Sequence, residues 1–85
     1  SITAHEPALV GSVRRIVRQL LPTGAATLEV VAAQFNLHPK ALQRQLATEG
    51  TAFARLVDEV REEAAERYLR DTDMSLSHLA RELGY

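Results

Sequence analysis

Lys40, Gln43 and Arg44, followed by Ala47, fall at i, i+3, i+4 and i+7, the spacing that places side chains on one face of an α-helix. An ammonium, a carboxamide and a guanidinium are all long hydrogen-bond donors. Arginine pairs bidentately with guanine O6 and N7, glutamine with adenine N6 and N7, and lysine with guanine or a phosphate. Each good bidentate pair contributes about 1–3 kcal/mol of discrimination. A residue as small as Ala47 allows close approach to such a partner. Taken alone, these side chains also describe the ordinary solvated side of an amphipathic helix, so the elements that hold them must decide between the two readings.

The spacing predicts that these residues lie on a helix over roughly 39–49, with Leu42 and Leu46 inward and Gly50 as its stop. His38 stands at the N-cap, and Pro39 at the first helical position fixes φ where no N–H is needed. A preceding helix is predicted from about Leu28 to Phe35, capped by Thr27, with Leu28, Val31, Ala32 and Phe35 inward. Asn36 tolerates the positive φ that turns the chain. Two helices joined by a turn of about three residues cross steeply and leave the N-terminal half of the second protruding. The major groove of DNA admits such a half-helix. Thr27, His38 and Arg18, with the N-terminal amides of the shorter helix, are the candidate contacts to phosphate.

This pattern occurs twice. Thr27-Leu28, Val31-Ala32, Phe35 and Asn36 recur at a constant offset of 48 as Ser75-Leu76, Leu79-Ala80, Leu83 and Gly84. Each copy supplies a capping hydroxyl, an apolar helical stripe and a residue suited to left-handed backbone. Two such units held on one helix form a device for reading successive major-groove segments, roughly 34 Å apart. A protein-interaction bundle has no evident need of that duplication.

The remaining segments complete an all-α expectation. Residues 1–7 read as a lead-in, with Pro7 suited to a first helical turn. From Ala8, the residues Leu9, Val13, Ile16, Val17 and Leu20 keep helical spacing, and Pro22 and Gly24 end that helix. Arg14, Arg15 and Arg18 lie off its apolar stripe, a basic cluster able to touch phosphates. Thr51 is placed to cap a long helix reaching about Arg70, apolar at Phe53, Leu56, Val57, Val60, Ala64 and Tyr68. Four-residue alternation of the kind that marks a strand is absent. The expected organisation is therefore a first helix-turn-helix unit over 8–50, a linker helix over 51–71, and the opening of a second unit over 75–85.

Composition sets the outer limits. With 85 residues, 46% apolar and 25% charged in mixed sign, the chain should fold around one modest core. The formal net charge of −1 weighs mildly against nucleic-acid binding, because phosphate affinity comes from Lys and Arg. Charge distribution matters more than its sum. The absence of cysteine excludes a disulfide framework and a thiolate metal site. No apolar run reaches membrane-spanning length, and the N-terminal stretch lacks signal-peptide character, so a cytoplasmic protein without membrane attachment is expected.

Other chemistries find little support. Asp71, Asp73, Ser75 and Glu82 fit part of a calcium-loop register, but Leu76 stands where glycine is required and belongs to a helical stripe. His5, His38 and His78 are scattered, without the spacing of a zinc site. Neither a glycine-rich phosphate loop nor a nucleophile-base pair is visible, so no enzyme activity, metal or cofactor is expected. The long helix carries Asp58, Glu59, Glu62, Glu63 and Glu66 on one side, with Glu63–Arg67 and Glu66–Arg70 as favourable i, i+4 pairs. That acidic side offers the alternative function, a small helical protein-interaction domain, or a contact with RNA polymerase or a sensor domain.

The run Leu28 to Phe35, then Leu37 to Leu46, then Gly50-Thr51-Ala52-Phe53 resembles the first helix-turn-helix of AraC/XylS-type bacterial transcription regulators. Arg61, Ala65 and Leu69, followed by Asp71 to Leu76, Leu79-Ala80 and Leu83-Gly84-Tyr85, are similar to that family's linker helix and the opening of its second unit. The resemblance covers about Ala8 to Tyr85. It implies promoter binding through double-stranded DNA, with Lys40, Gln43 and Arg44 facing bases and the linker helix setting the separation of two readers. His38 departs from the family's usual serine cap, and the second recognition helix is missing, so these residues would read one half-site. The resemblance further implies a longer protein, with a sensor or dimerisation domain before Ser1.

Overall fold

Three helix ends in this chain close in the same way, and those closures set its architecture. The computed structural model describes residues 7–71, 81 and 84. Helix α1 spans Ala8–Leu20 and runs into a single 3-10 turn, Leu21–Thr23; α2 spans Leu28–Gln34, α3 Pro39–Thr48 and α4 Phe53–Asp71. No strand occurs among the described residues. The molecule is all-α, as the periodicity predicts.

After the 3-10 turn Gly24 takes φ +78°, after α2 Asn36 takes φ +56°, and after α3 Gly50 takes φ +81°. At each, two N–H groups reach back to orphaned carbonyls. Asn36 donates to Ala33 (3.1 Å) and Leu37 to Ala32 (3.0 Å); Gly50 donates to Ala47 (3.0 Å) and Thr51 to Leu46 (3.0 Å); Gly24 donates to Leu21 (3.1 Å) and Ala25 to Leu20 (3.3 Å). This is the Schellman pattern, which satisfies the last carbonyls of a helix while reversing the chain. Gly84 takes φ +87° and donates to Arg81 at 3.1 Å, matching Asn36 and Ala33 at the repeat offset. The repeat's Ser75, Leu76, Leu79, Ala80 and Leu83 lie outside the described residues, as do Asp73, Ser75 and Glu82 of the calcium register.

Helix starts follow the sequence less uniformly. Thr27 Oγ1 accepts from the Val30 N–H at 3.2 Å and His38 Nδ1 from the Lys40 N–H at 3.1 Å, so both act as N-caps. Pro7 sits one position before α1 rather than in its first turn, its carbonyl accepting from Gly11 at 3.1 Å. Thr51 does not cap α4. Its N–H closes α3, and the carbonyl of Ala52 accepts the first α4 bond, from Leu56. The Schellman closure uses the backbone of the residue whose hydroxyl predicts a cap for the next helix.

Each helix contributes to one core: Val10, Val13 and Val17 from α1, Val31 and Ala32 from α2, Leu42 and Leu46 from α3, and Leu56, Val57 and Val60 from α4. No polar or charged residue is buried among the described residues. Val10, outside the stripe the sequence suggests for α1, belongs to this core, whereas Leu9, Ile16 and Leu20 pack at its margin. The apolar period of α4 extends beyond its buried residues. Beyond Val60, Ala64 is exposed and Tyr68 is 55% exposed.

Leu46 is wholly buried, and its truncation leaves a cavity on the inner side of α3. We expect Leu46→Ala to destabilise the fold by about 2–5 kcal/mol, measured by urea denaturation. A loss below about 1 kcal/mol would show that this core closes around the gap.

Candidate functional site

The candidate site is the outer face of α3. Leu42 and Leu46, one turn apart, are both fully buried, which fixes the roll of the helix about its axis. Lys40, Gln43, Arg44 and Ala47 then stand exposed together. The helix Pro39–Thr48 contains no carboxylate, so its outer face carries two positive charges and no negative one. The short α2 and the turn 35–38 hold it against the core from one side.

Two capping side chains border this face. The Thr27 hydroxyl accepts the Val30 N–H and retains its own proton for donation. His38 accepts the Lys40 N–H on Nδ1, so a neutral ring carries its proton on Nε2. His38 is exposed, and that second nitrogen is a donor at the start of α3. The imidazole thus does the capping work of a serine and adds an N–H beside Lys40.

The arginines of α1 do not form one cluster. Arg14 Nη1 hydrogen-bonds Glu59 of α4, and its side chain is only 16% exposed. Arg18 places Nε at 3.2 Å and Nη2 at 3.1 Å from Glu63 Oε1. Both pairs ascend their helices by four residues, so α1 and α4 run in the same direction, joined by a two-rung ladder. Arg15 is exposed and makes no ion pair among the described residues. Glu63 is thereby drawn to Arg18, and the expected i, i+4 pairs Glu63–Arg67 and Glu66–Arg70 do not form among the described residues. Asp58 instead pairs with Arg61, at 3.8 Å.

The ladder is the feature that reading along the chain missed. Its signal was present as matched i, i+4 pairs of opposite sign, Arg14/Arg18 and Glu59/Glu63. Knowing that they meet requires knowing that α1 lies against α4. No helix among the described residues is long and apolar enough to cross a membrane.

A protein-family profile described as a helix-turn-helix domain matches residues 31–85, which include α3 and α4. The chain is 43% identical over 70 residues to the HTH-type transcriptional regulator VirS of Mycobacterium tuberculosis, covering 82% of this chain and 21% of that protein. It is 37% identical over 59 residues to an uncharacterised HTH-type transcriptional regulator of Mycobacterium bovis, covering 69% of this chain and 17% of the relative. The chain therefore spans about a fifth of the length of the curated relatives it matches. No solved structure matches it.

His38→Ala removes the acceptor that satisfies the Lys40 amide, and we expect it to cost about 0.5–2 kcal/mol of stability. His38→Ser should retain or raise the thermal midpoint. A midpoint unchanged in His38→Ala would mean that water satisfies this amide equally well.

Proposed function

Since the chain belongs to the AraC/XylS-type helix-turn-helix family of transcription regulators, we propose that it binds promoter DNA by seating the N-terminal half of α3 in the major groove. The observation that carries this reading is the outward face of Lys40, Gln43 and Arg44 on a helix whose roll is held by Leu42 and Leu46. In the groove, Arg44 addresses guanine O6 and N7, Gln43 addresses adenine N6 and N7, and Lys40 reaches a guanine or a phosphate. Because the core already orders α3, binding spends little free energy on folding the reader.

Backbone contacts supply orientation and salt-dependent affinity. Among the described residues, Thr27, the His38 Nε2–H and Arg15 are the groups left to make them. Arg14 and Arg18 instead hold α4 to α1. The same ladder weakens the case for a protein-interaction domain built on the acidic face, since Glu59 and Glu63 are already engaged within the molecule.

In the whole regulator, α4 links this reader to a second one, and a separate domain supplies ligand sensing or dimerisation. The outward carboxylates Glu62 and Glu66 are the surface offered to RNA polymerase. Its place of work is the cytoplasm, where promoter DNA is found. No catalysis, metal or cofactor enters this mechanism.

The direct test is selection from a randomised duplex pool, followed by binding measurements on variants. Arg44→Ala should lose about 1–3 kcal/mol of discrimination at one base pair while keeping its thermal midpoint; equal loss of helicity and binding would make Arg44 structural. In the same assay, Arg15→Gln should shallow the slope of log K against log salt by about one unit. Arg14→Gln should leave the slope unchanged and lower the thermal midpoint. The opposite outcome for the two arginines would place Arg14 on the phosphates.

A further inference from the structure

Beside the reading face lies a shallow depression that none of its proposed base contacts fills. Leu28, Gln43 and Ala47 line it together with Thr51, Ala52, Phe53 and Ala54. It is thus made by the start of α2, the flank of α3, the α3–α4 connection and the first turn of α4. Its lining is mainly aliphatic and aromatic, with Gln43 and Thr51 as its polar residues.

What covers this depression must also suit the charge beside it. Lys40 and Arg44 leave the face positive, and α3 has no carboxylate, so the complementary partner is a polyanion. The face is continuous with the depression through Gln43 and Ala47. A DNA major groove displays hydrogen-bonding edges and a single kind of apolar group, the C5-methyl of thymine. That methyl lies on the base paired with any adenine that Gln43 recognises.

We propose that this depression is a thymine-methyl subsite, so that Gln43 and Ala47 together read an A·T pair from both of its bases. The inference rests on the DNA-binding reading above and deepens it. Gln43 supplies the polar half of the recognition, through adenine N6 and N7. Ala47 and the wall behind it supply the apolar half, removing the methyl from water. Alanine at position 47 is what leaves the space open, since a longer side chain there would occupy it.

The test uses duplex DNA selected by the full chain from a random pool, with each thymine replaced in turn by deoxyuridine, which removes only the methyl. Burial of one methyl is worth about 0.8 kcal/mol, or about fourfold in affinity. We expect one thymine whose replacement weakens wild-type binding by about that factor. Ala47→Leu fills the depression, and Ala54→Leu fills it from the α4 side; both positions are exposed, so the core is untouched. Each variant should bind the thymine and deoxyuridine duplexes equally. Wild-type binding that depends on Arg44 yet ignores deoxyuridine at every position would overturn the subsite and leave the parent reading standing. A methyl effect that survives both filling variants would assign the depression to some other occupant. Failure to select any duplex would overturn both readings together.

Discussion

The burial of Leu42 and Leu46 is the constraint from which the rest of this molecule's behaviour follows. Two leucines one turn apart, both removed from water, leave a ten-residue helix one rotational setting about its axis. In that setting Lys40, Gln43, Arg44 and Ala47 must face outward. The interaction is non-directional and proportional to apolar area, yet the outcome is directional, because helical geometry converts an inward stripe into an outward one. The turn before α3 cooperates with it. Positive φ at Asn36, the His38 cap and the pre-set φ of Pro39 define where the helix begins, and Gly50 with Thr51 defines where it stops.

Charge is sorted with comparable economy. A chain of net charge −1 can present a positive face because its carboxylates are concentrated elsewhere. Asp58 to Glu66 lie along α4, and two of them are paired with arginines of α1. The ladder therefore has a mechanical and an electrostatic effect. It holds the parallel pair α1 and α4 in register, and it offsets acidic charge that would otherwise oppose an approaching polyanion. Local charge placement governs what the outer face of α3 attracts.

The helix ends show one local solution used repeatedly. Gly24, Asn36 and Gly50 all adopt left-handed backbone and return two N–H groups to waiting carbonyls. Gly84 repeats the first of these bonds at the position equivalent to Asn36. The closure has a cost for sequence interpretation. At Thr51 it claims the backbone of a residue whose hydroxyl suggested an N-cap, and α4 starts two residues later. Capping chemistry is specified by backbone position as well as by residue type.

What this sequence determined by itself was most of what is governed by neighbours within a turn or two. Helical periods located all four described helices, Thr27 and His38 announced their caps, and Asn36 and Gly50 announced the reversals, because these depend on local φ, ψ and hydrogen bonding. The outward position of Lys40, Gln43 and Arg44 was legible for the same reason. Only the tertiary structure decided which charged groups meet and where an apolar stripe ceases to be buried. Arg14 and Arg18 lie 45 residues from Glu59 and Glu63 in sequence, and no local rule joins them. Tyr68 keeps the period of α4 yet is 55% exposed, and periodicity alone does not separate it from Leu56 or Val60, which are buried. The depression beside Gln43 arises in the same way, from three elements whose mutual placement is set by packing around the shared core.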